Sequence, residues 1–324
     1  MKTIRWGIIG CGDVTERKSG PGFQKAEGSS LVAVMRRDGE KAADYAKRHN
    51  VPRSYDDAQK LIDDPEVDAI YIATPPNAHM EYTLKAAEAG KPVYCEKPLG
   101  MSSEESRKMV AFCKERNVKL FSAYYRRALP KFLKVKALLD SGAIGEVRYV
   151  HLSLNQSISE KDKSEGGSWR VRPEISGGGL ILDVGSHALD LLDWFVGPIK
   201  EVEGFALNQS KTYAAEDIVS GSWKHEHDVL GTGVFCFNTY KDEDKTIICG
   251  SKGEISYSVF ANGEPILIRT EDGEQIIEVD RPPEHIAQPM IQTVVNELLG
   301  KGICLSTGES GSRTDWVMDK LQGK

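Results

Sequence analysis

The sequence predicts an α/β first half with a parallel sheet, followed by an α+β second half with a large, mostly antiparallel open sheet. Apolar runs and helical stretches alternate from residue 4 to residue 123, the pattern of βαβ units. A Gly10-x-Gly12 turn follows the first run, and after residue 200 short alternating runs are separated by turn signals such as Ala261-Asn262-Gly263. The expected domains are residues 1–123 and 124–324, with the terminal helix a candidate for packing back on the first domain.

The overall composition is that of an ordinary globular chain. Its 324 residues are 40% hydrophobic and 28% charged, and 42 basic against 48 acidic side chains leave a net charge of -6. We therefore expect neither nucleic acid nor an anionic membrane as a partner. The six cysteines lack C-x-x-C spacing and are expected to be reduced, and Lys224–Asp228 is expected to be a solvated strand end with no metal. The absence of a secretory segment or of a run of about 18 apolar residues favours a cytoplasmic location.

The first strand, Ile4–Ile9, leads into the turn Gly10-Cys11-Gly12-Asp13-Val14, which opens a helix. Glycines are needed here because the backbone must turn tightly and let a pyrophosphate approach the N–H groups of a helix N-terminus, as in a Rossmann nucleotide-binding unit. The turn is weak evidence by itself, since Thr15 stands where a small residue usually follows. The second strand, Leu31–Met35, lies at the spacing that supports it.

The tip of the second strand bears on the choice of cofactor. Arg36-Arg37 stands where an NAD enzyme would place an acidic residue, and a guanidinium there can bind a 2′-phosphate. NADP(H) is therefore favoured and NAD(H) remains an alternative. In a second interpretation the two arginines are solvated beside Asp38 and Glu40, and Asp38 serves the ribose.

The next elements continue the alternation toward a parallel sheet of about six strands. Strand Ala69–Ala73 ends in Thr74-Pro75-Pro76-Asn77, where Asn77 is the candidate cap of the following helix and His79 reads as a capping or surface histidine. The other expected elements are helices Glu40–His49, Ala58–Ile62, Met80–Ala89 and Ser103–Arg116 and strands Val93–Cys95 and Lys119–Ala123.

Glu96-Lys97-Pro98 directly follows the strand Val93–Cys95. Chemistry in open α/β sheets occurs beyond the carboxyl ends of the strands, so Lys97 is expected to reach into that crevice. Pro98 keeps Lys97 away from helical geometry. The alternative is a surface lysine that pairs with Glu96.

The set Gly10-x-Gly12, Ala73-Thr74-Pro75-Pro76-x-x-His79 and Glu96-Lys97-Pro98 resembles the glucose–fructose oxidoreductase/inositol dehydrogenase (Gfo/Idh/MocA) family over essentially the whole chain. The resemblance implies that Lys97 touches both the nicotinamide ribose and a substrate hydroxyl. It also implies a series of cofactor contacts, for which the candidates are Gly10, Cys11, Gly12, Asp13, Val14, Arg36, Arg37, Thr74, Pro75, Pro76, Asn77, His79, Glu96, Lys97, Trp169 and Arg170.

Two short segments early in the second half carry candidate contacts. In Tyr124–Arg127, Tyr125 and Arg126 are candidates for binding substrate, although a hinge-side ion pair of the arginines is equally compatible with the sequence. Ser157–Ser168 is expected to be an exposed loop. It leads to Trp169-Arg170, an aromatic and a guanidinium that suit stacking on a ring and pairing with phosphate, unless Trp169 simply pins the loop.

A glycine run, Gly177–Gly179, precedes an apolar helix over residues 180–194 that is interrupted by Asp183 and His187. Residues four apart share one helix face, and a buried carboxylate is costly unless it is paired, so the two polar residues predict a functional site. With Lys97 they match the catalytic signature of the family. Histidine titrates nearest neutral pH, so His187 is the expected proton acceptor or donor, while Lys97 polarises the substrate oxygen and Asp183 orients the substrate hydroxyls or His187.

The remaining runs predict the open sheet and two closing helices. The helices are Ile286–Leu299 and Glu309–Leu321, with Thr307 as a cap candidate. The runs are Val147–Leu154, Glu201–Leu207, Asp217–His225, Val229–Phe237, Lys245–Gly250, Gly253–Val259, Pro265–Ile268 and Gln275–Val279. In the family such a sheet pairs with a second subunit, which implies a homodimer or homotetramer.

Together these features predict an NADP(H)-preferring oxidoreductase acting on a sugar, cyclitol or related polyol. Two rivals are kept. One is a glycosidase that holds its dinucleotide and uses transient oxidation before elimination. The other is a redox or sugar sensor without turnover, against which the presence of Lys97, Asp183 and His187 argues.

Overall fold

The computed structural model describes residues 3–164 and 167–324. The strands are β1 (Ile4–Ile9), β2 (Ser29–Met35), β3 (Arg53–Tyr55), β4 (Ala69–Ile72), β5 (Val93–Cys95), β6 (Leu120–Ser122), β7 (Val147–Asn155), β8 (Ile199–Leu207), β9 (Ile218–His225), β10 (Leu230–Cys236), β11 (Glu243–Gly250), β12 (Gly253–Tyr257), β13 (Ile266–Thr270) and β14 (Gly273–Ile277).

The α-helices alternate with the early strands and return near the C-terminus. They are α1 (Asp13–Arg17), α2 (Gly20–Lys25), α3 (Gly39–Arg48), α4 (Ala58–Ile62), α5 (His79–Glu88), α6 (Ser103–Glu115), α7 (Pro130–Asp140), α8 (Glu160–Lys163), α9 (Pro173–Ser176), α10 (Ser186–Val196), α11 (Gln288–Leu298) and α12 (Gly308–Leu321). Within the described parts of the chain, no helix combines the length and apolar character needed to cross a membrane.

The described residues group into two compact units. The first contains the chain up to Leu129 together with Pro282–Ser312, and the second contains Pro130–Arg281 together with Arg313–Lys324. Residues 124–129 and 282–312, which we assigned to the second domain from sequence, therefore group with the first unit. Within that unit α11 packs against α2, and the Gln292 side chain accepts a hydrogen bond of 2.7 Å from the Glu27 N–H.

The first unit is built on a six-stranded sheet in the order β3-β2-β1-β4-β5-β6, in which every pair is parallel. Strands β4 and β5 are buried throughout because helices cover both faces of such a sheet, so their side chains are continuously apolar or aromatic. The order reverses between β1 and β4, and the loops after these strands therefore open at a topological switch point. The strand that we did not predict is β3, whose sequence Arg-Ser-Tyr has no apolar alternation.

The second unit contains an eight-stranded sheet in the order β14-β13-β12-β11-β7-β10-β9-β8. Strands β7 and β10 are parallel and the other neighbouring pairs are antiparallel, which confirms the mostly antiparallel sheet. Each of the eight strands corresponds to a predicted alternating run.

A narrow notch crosses the paired strands β8 and β9. Gly204 and Gly221 are register partners, and a Cβ atom on Gly204 would lie 2.5 Å from the main-chain oxygen of Leu321 at the end of α12. A Cβ atom on Gly221 would collide with the Leu321 side chain. We define these two glycines as the glycine notch, and their lack of side chains lets the end of α12 lie directly on the sheet.

Candidate functional site

The G-x-G turn is shaped by what its two glycines face. Gly10 has φ +93°, and a Cβ atom there would lie 2.8 Å from Thr74 Cγ2, so only glycine allows this loop to approach the loop after β4. The N–H groups of Gly10 and Cys11 donate to the Met35 carbonyl at 2.9 and 3.1 Å, which ties the turn to the end of β2. The atom nearest to a Cβ on Gly12 would be 3.9 Å away, so the backbone at the start of α1 is accessible to a bound molecule.

Thr15 explains why the third small residue of the motif is dispensable. Its side chain is fully buried, and its hydroxyl donates to the Gly12 carbonyl at 2.8 Å, while its own carbonyl accepts a hydrogen bond from Tyr45. Cys11, inside the turn, is also buried, and burial raises the pKa of its thiol to about 11. Cys11 therefore contributes packing and main-chain groups rather than a reactive thiolate.

At the tip of β2, Asp38 is already engaged. Its carboxylate caps α3 by accepting the Lys41 N–H at 3.2 Å and pairs with the Lys41 ammonium at 2.7 Å, which lowers the pKa of Asp38. The Arg36 guanidinium lies 3.5 Å from the Cys11 carbonyl and so extends over the G-x-G turn, and Arg37 is exposed. These contacts favour the arginines over Asp38 as the groups available to an adenosine ribose.

His79 is not a surface histidine, as we had predicted, but a fully buried one. Its Nε2 lies 2.8 Å from the Thr74 carbonyl and its Nδ1 lies 2.9 Å from the Pro98 carbonyl. Burial lowers the pKa of His79, while the two carbonyls and the Glu96 carboxylate act in the opposite direction. The imidazole therefore bridges the loop after β4 and the loop after β5.

The Thr74–Asn77 segment differs from the prediction in one respect. Pro76–Ala78 forms a 3₁₀ turn and Ala78, not Asn77, is the N-cap of α5. Two prolines fix the backbone here, so the helix starts after the turn and not at the first polar side chain. The Thr74 hydroxyl is buried and, among the described residues, has no hydrogen-bond partner. It is thus a polar atom that a bound molecule can satisfy.

Glu96 and Lys97 follow β5, and the Lys97–Pro98 peptide bond is cis. The Glu96 carboxylate accepts a hydrogen bond of 2.5 Å from the Tyr71 hydroxyl, and its other oxygen lies 3.3 Å from the Lys97 N–H. Tyr71 on β4 was not identified from sequence, because a tyrosine inside a buried strand reads as core. Lys97 itself is half-buried and lies at the carboxyl end of the sheet.

Tyr125 and Arg126 lie in the 3₁₀ turn Tyr125–Ala128 of the first unit, and both are buried. The Tyr125 ring has the Lys18 ammonium at 5.5 Å and the Arg126 guanidinium at 5.4 Å from its centroid. Arg127 donates to the Leu305 carbonyl at 3.0 Å, which is a structural role. Tyr125 and Arg126 remain predictions as substrate contacts.

In the second unit, Trp169 and Arg170 lie in the 3₁₀ turn Trp169–Val171, and the Arg170 guanidinium lies 4.5 Å from the Trp169 ring centroid. Arg170 Nε also donates to Asp183 Oδ2 at 2.8 Å. The structure thereby brings together two residues that were selected from sequence for separate reasons. The Asp183 side chain is 29% exposed, and its ion pair with Arg170 supplies the partner that a carboxylate in this apolar segment needs.

The helix that carries His187 begins with a π-helical turn, Ile181–Gly185, before α10. Asp183 lies in that turn and His187 in the first turn of α10, where it is 4% exposed with its ring 6.0 Å from that of Phe260. A single regular helix over residues 180–194 was therefore the wrong prediction. Wider turns of this kind often occur at functional sites.

Asp183 and His187 are also not the only polar residues of this segment. Asp190 and Asp193 are buried too, but each has a structural partner on α12. Asp193 accepts 2.8 and 2.7 Å hydrogen bonds from the Arg313 guanidinium and a third of 3.0 Å from the Ile199 N–H, and Asp190 accepts from Thr314. Polarity within an apolar helix thus has a packing explanation at these two positions.

Glu216 accounts for the glycine run. Its Oε1 accepts the Gly179 N–H at 2.6 Å, and a Cβ atom on Gly178 would lie 3.0 Å from that same oxygen. Glycines allow backbone to approach another group closely, and here that group is a carboxylate on the β8–β9 connection. No sequence signal pointed to Glu216, since it lies 37 positions from Gly179.

Two polar segments of the second unit are more ordered than their composition indicated. Ser157–Ser168, predicted as an exposed loop, contains α8, which Ser159 caps, and a buried Asp162 that accepts from Ser168; Glu165 and Gly166 lie outside the described residues. At the end of β9, His225 is buried between the Trp223 indole N–H at 3.0 Å and the Gly197 carbonyl at 2.7 Å. In the described ranges, no group of three or more His, Cys, Asp or Glu side chains is arranged to hold a metal ion.

Comparison with known proteins places this geometry in a family. Residues 4–124 match the model of an oxidoreductase family with an NAD-binding Rossmann fold, and residues 132–256 match the GFO/IDH/MocA C-terminal domain. The chain is 37% identical to Oxidoreductase P35 of Formosa agariphila over 326 residues, which cover 99% of this chain and 98% of the relative. The chain belongs to the Gfo/Idh/MocA oxidoreductase family.

Other members of the family are named for their reactions. A 1,5-anhydro-D-fructose reductase of Ensifer adhaerens is 29% identical over 95% of this chain and 92% of the relative. The solved structure of a levoglucosan dehydrogenase in complex with NADH and levoglucosan superposes with a TM-score of 0.87, at 21% identity, over 99% of this chain and 96% of that one. The latter likeness concerns the fold.

The first unit fits the nicotinamide dinucleotide of a Gfo/Idh/MocA oxidoreductase. The space beside Gly12 at the start of α1 is open, and Arg36 extends over the turn. The Thr74 hydroxyl has no hydrogen-bond partner among the described residues. The backbone at Gly12 would face the pyrophosphate, and the segment at the end of β5 would face the nicotinamide half. Whether Lys97 meets Asp183 and His187, which belong to the other unit, stays a prediction.

Proposed function

We propose that the protein is an NADP(H)-preferring oxidoreductase that transfers a hydride between nicotinamide C4 and a secondary alcohol or ketone carbon of a sugar, cyclitol or related polyol. The observation that carries the proposal is the Arg170–Asp183 ion pair on the segment that leads into His187. It joins Arg170, a predicted cofactor contact, to Asp183, a predicted catalytic residue four positions before His187. The names of the relatives, a 1,5-anhydro-D-fructose reductase and a levoglucosan dehydrogenase, support the substrate class.

In this proposal Lys97, His187 and Asp183 have different roles in moving a proton to or from the substrate oxygen. When it is bound, the nicotinamide ring supplies the hydride chemistry at C4. Lys97, as an ammonium, polarises the substrate oxygen and stabilises developing alkoxide charge. His187 takes the hydroxyl proton in oxidation or returns it in reduction. Asp183, held by Arg170, orients the substrate hydroxyls toward His187.

The first test is turnover. Sugars and keto-sugars are screened with NADP(H) and NAD(H) by nicotinamide absorbance, followed by Lys97→Ala and His187→Asn on the best substrate. Both variants are expected to slow the hydride step by roughly 10²–10⁴-fold, the contribution of a positioned acid, base or electrostatic stabiliser, while cofactor affinity is largely kept. The matched controls are Lys108→Ala and His227→Asn, which change exposed residues.

Two results would contradict the proposal. One is turnover by Lys97→Ala and His187→Asn at the rate of the controls. The other is a dinucleotide that co-purifies, never exchanges and gives no net absorbance change while a glycoside is cleaved, which is the behaviour of the rival glycosidase.

The preference for NADP(H) rests on the two arginines at the tip of β2. A carboxylate free to bind the ribose 2′-hydroxyl would favour NAD(H), but Asp38 is committed to capping α3. Arg36 and Arg37 can instead form charge-assisted hydrogen bonds with a 2′-phosphate.

The scattered free thiols are in keeping with a reducing, cytosolic compartment.

We also propose that two copies of the chain associate through the outer face of the second sheet. Strand pairing places Phe205, Ser220 and Val234 in one row of that face, and Leu230 and Tyr149 in another. Phe205 is 80% exposed, and the face as a whole presents the exposed apolar side chains Tyr149, Phe205, Leu207, Leu230 and Val234. A contiguous apolar patch of this kind is characteristic of a subunit interface.

A further inference from the structure

Two stacked tyrosines on β4 and β5 differ in whether the phenol hydroxyl has a hydrogen-bond partner. Tyr71 on β4 and Tyr94 on β5 are register partners, their ring centroids lie 5.2 Å apart, and both are fully buried. The Tyr71 hydroxyl donates to Glu96 Oε1 at 2.5 Å and lies 3.1 Å from the Ser19 hydroxyl. For the Tyr94 hydroxyl, the described residues provide no hydrogen-bond partner.

The Tyr71 hydroxyl remains a donor at any working pH. Burial and the neighbouring Glu96 charge raise the pKa of Tyr71 well above its ordinary value, so the phenol stays protonated. A neutral donor facing a carboxylate is a charge-assisted hydrogen bond, which is stronger and more directional than one between neutral groups.

The position of Glu96 gives this bond a consequence for the site. Glu96 is the residue between β5 and Lys97, and its two carboxylate oxygens have different neighbours: Oε1 receives the Tyr71 hydroxyl, and Oε2 lies 3.3 Å from the Lys97 N–H. The orientation of the carboxylate is therefore coupled to the main chain of Lys97.

The same phenol also lies beside a residue that follows the helix of the G-x-G turn. Ser19 lies in the turn between α1 and α2, and its hydroxyl is 3.3 Å from the Val14 carbonyl of the helix that follows the G-x-G turn. Tyr71 thus connects the helix expected to face the pyrophosphate with the segment expected to face the nicotinamide ribose.

We propose that Tyr71 is a positioning residue that orients Glu96, and through it the Lys97 segment, for binding the cofactor. The proposal rests on the proposed function, because it assumes that Glu96 and Lys97 face the nicotinamide half of the dinucleotide. It assigns no contact between Tyr71 and the cofactor or substrate. Tyr94, which has the same ring in the same core, has no such role.

The two tyrosines provide a matched pair of variants, Tyr71→Phe and Tyr94→Phe. Each removes one buried hydroxyl, but only the first removes a donor to Glu96. Tyr71→Phe is expected to raise the Kd for NADPH by about tenfold, which corresponds to ~1.4 kcal/mol, and to lower kcat. Tyr94→Phe is expected to leave both values within about twofold, since no hydrogen bond is lost.

A double-mutant cycle with Glu96→Ala, which removes the acceptor of the Tyr71 hydroxyl, separates positioning from a general loss of packing. If Tyr71 acts through Glu96, the effect of Tyr71→Phe on cofactor affinity shrinks to less than about threefold in the Glu96→Ala background. Additive effects would overturn the proposal, because they would show that the phenol acts on the fold and not on the carboxylate. The single Glu96→Ala variant also tests the contact from the Glu96 side, and that measurement does not depend on how well Tyr71→Phe folds.

The outcomes also separate this inference from the proposed function. Equal NADPH affinity and turnover in Tyr71→Phe, Tyr94→Phe and the unmodified protein would overturn the positioning role and leave the oxidoreductase intact. Failure of the unmodified protein to bind any nicotinamide dinucleotide would overturn both.

Discussion

Arg36 and Arg37 are the residues on which the proposed preference for NADP(H) rests. Arg36 already lies over the G-x-G turn, where its guanidinium approaches the Cys11 carbonyl. Asp38, which follows them, is held by α3 through the Lys41 N–H. These contacts are the basis of the proposed preference for a 2′-phosphate at the end of β2.

Replacing Arg37 or Arg36 with alanine should therefore weaken NADPH binding selectively. A hydrogen bond to a charged group contributes ~1.5–3 kcal/mol, so each variant is expected to raise the Kd for NADPH by roughly 10–100-fold and to change the Kd for NADH much less. Fluorescence titration of both cofactors provides the measurement, with the exposed Arg107→Ala as the control. Equal losses for NADPH and NADH, or tighter NADH binding in the unmodified protein, would contradict this assignment.

The site residues show where sequence reasoning succeeds and where it stops. Asp183 and His187 could be selected because polar residues interrupt an apolar segment. Asp193 has the same local pattern, yet its partner is Arg313, 120 positions away, and such a pairing leaves no local signal. Glu216 and Tyr71 were missed for the same reason, since a glycine run or a buried strand does not name the side chain that will contact it.

Among the elements, the strands of both sheets were predicted well because alternation and turn signals are local properties. The exceptions follow from the same rule. Strand β3 has only three residues and no apolar pattern, and the π-helical turn Ile181–Gly185 has the composition of an ordinary helix. The burial of His79 depends on two loops meeting around it, which periodicity cannot report.

Helices α10 and α12 are joined by an ion pair whose loss should be costly. The Asp193 side chain is 2% exposed and the Arg313 side chain 31%, so Arg313→Met leaves a buried carboxylate without its cation. The free energy of unfolding is expected to fall by ~3 kcal/mol, and Asp193→Asn combined with Arg313→Met by clearly less than the sum of the single changes.

Urea-induced unfolding followed by circular dichroism measures these differences. The control is Arg269→Met, which removes an exposed pairing with Glu254 and Glu274 and is expected to cost no more than ~1 kcal/mol. A loss in Arg313→Met as small as that of the control would show that the helices are held together by apolar packing alone.

For the whole molecule, the exposed apolar face of the second sheet predicts assembly. A stable dimer buries roughly 1,200–2,000 Å² in total, and a charge at the centre of such a face is costly because it is desolvated without a partner. Val234 lies on the same strand as Leu230 and in the row that continues through Ser220 to Phe205, so Val234→Asp is expected to convert a dimer into monomers.

Sedimentation equilibrium of the unmodified protein and of Val234→Asp measures whether each is a monomer or a dimer. Ile303→Asp is the control, because Ile303 is also an exposed apolar residue but belongs to the other unit. An unmodified protein that is monomeric at micromolar concentration, or a Val234→Asp variant of unchanged mass, would contradict the proposed interface.

The glycine notch restricts how strands β8 and β9 can be aligned. Successive side chains on a strand point to opposite faces, so sliding β8 by one residue would bring Phe205 or Glu203 to the place that Gly204 now occupies. Either side chain would collide with Leu321, whose main chain already lies within contact distance of the glycine. The notch therefore selects the observed alignment of this edge of the sheet by steric exclusion, because a one-residue shift would place a side chain against Leu321.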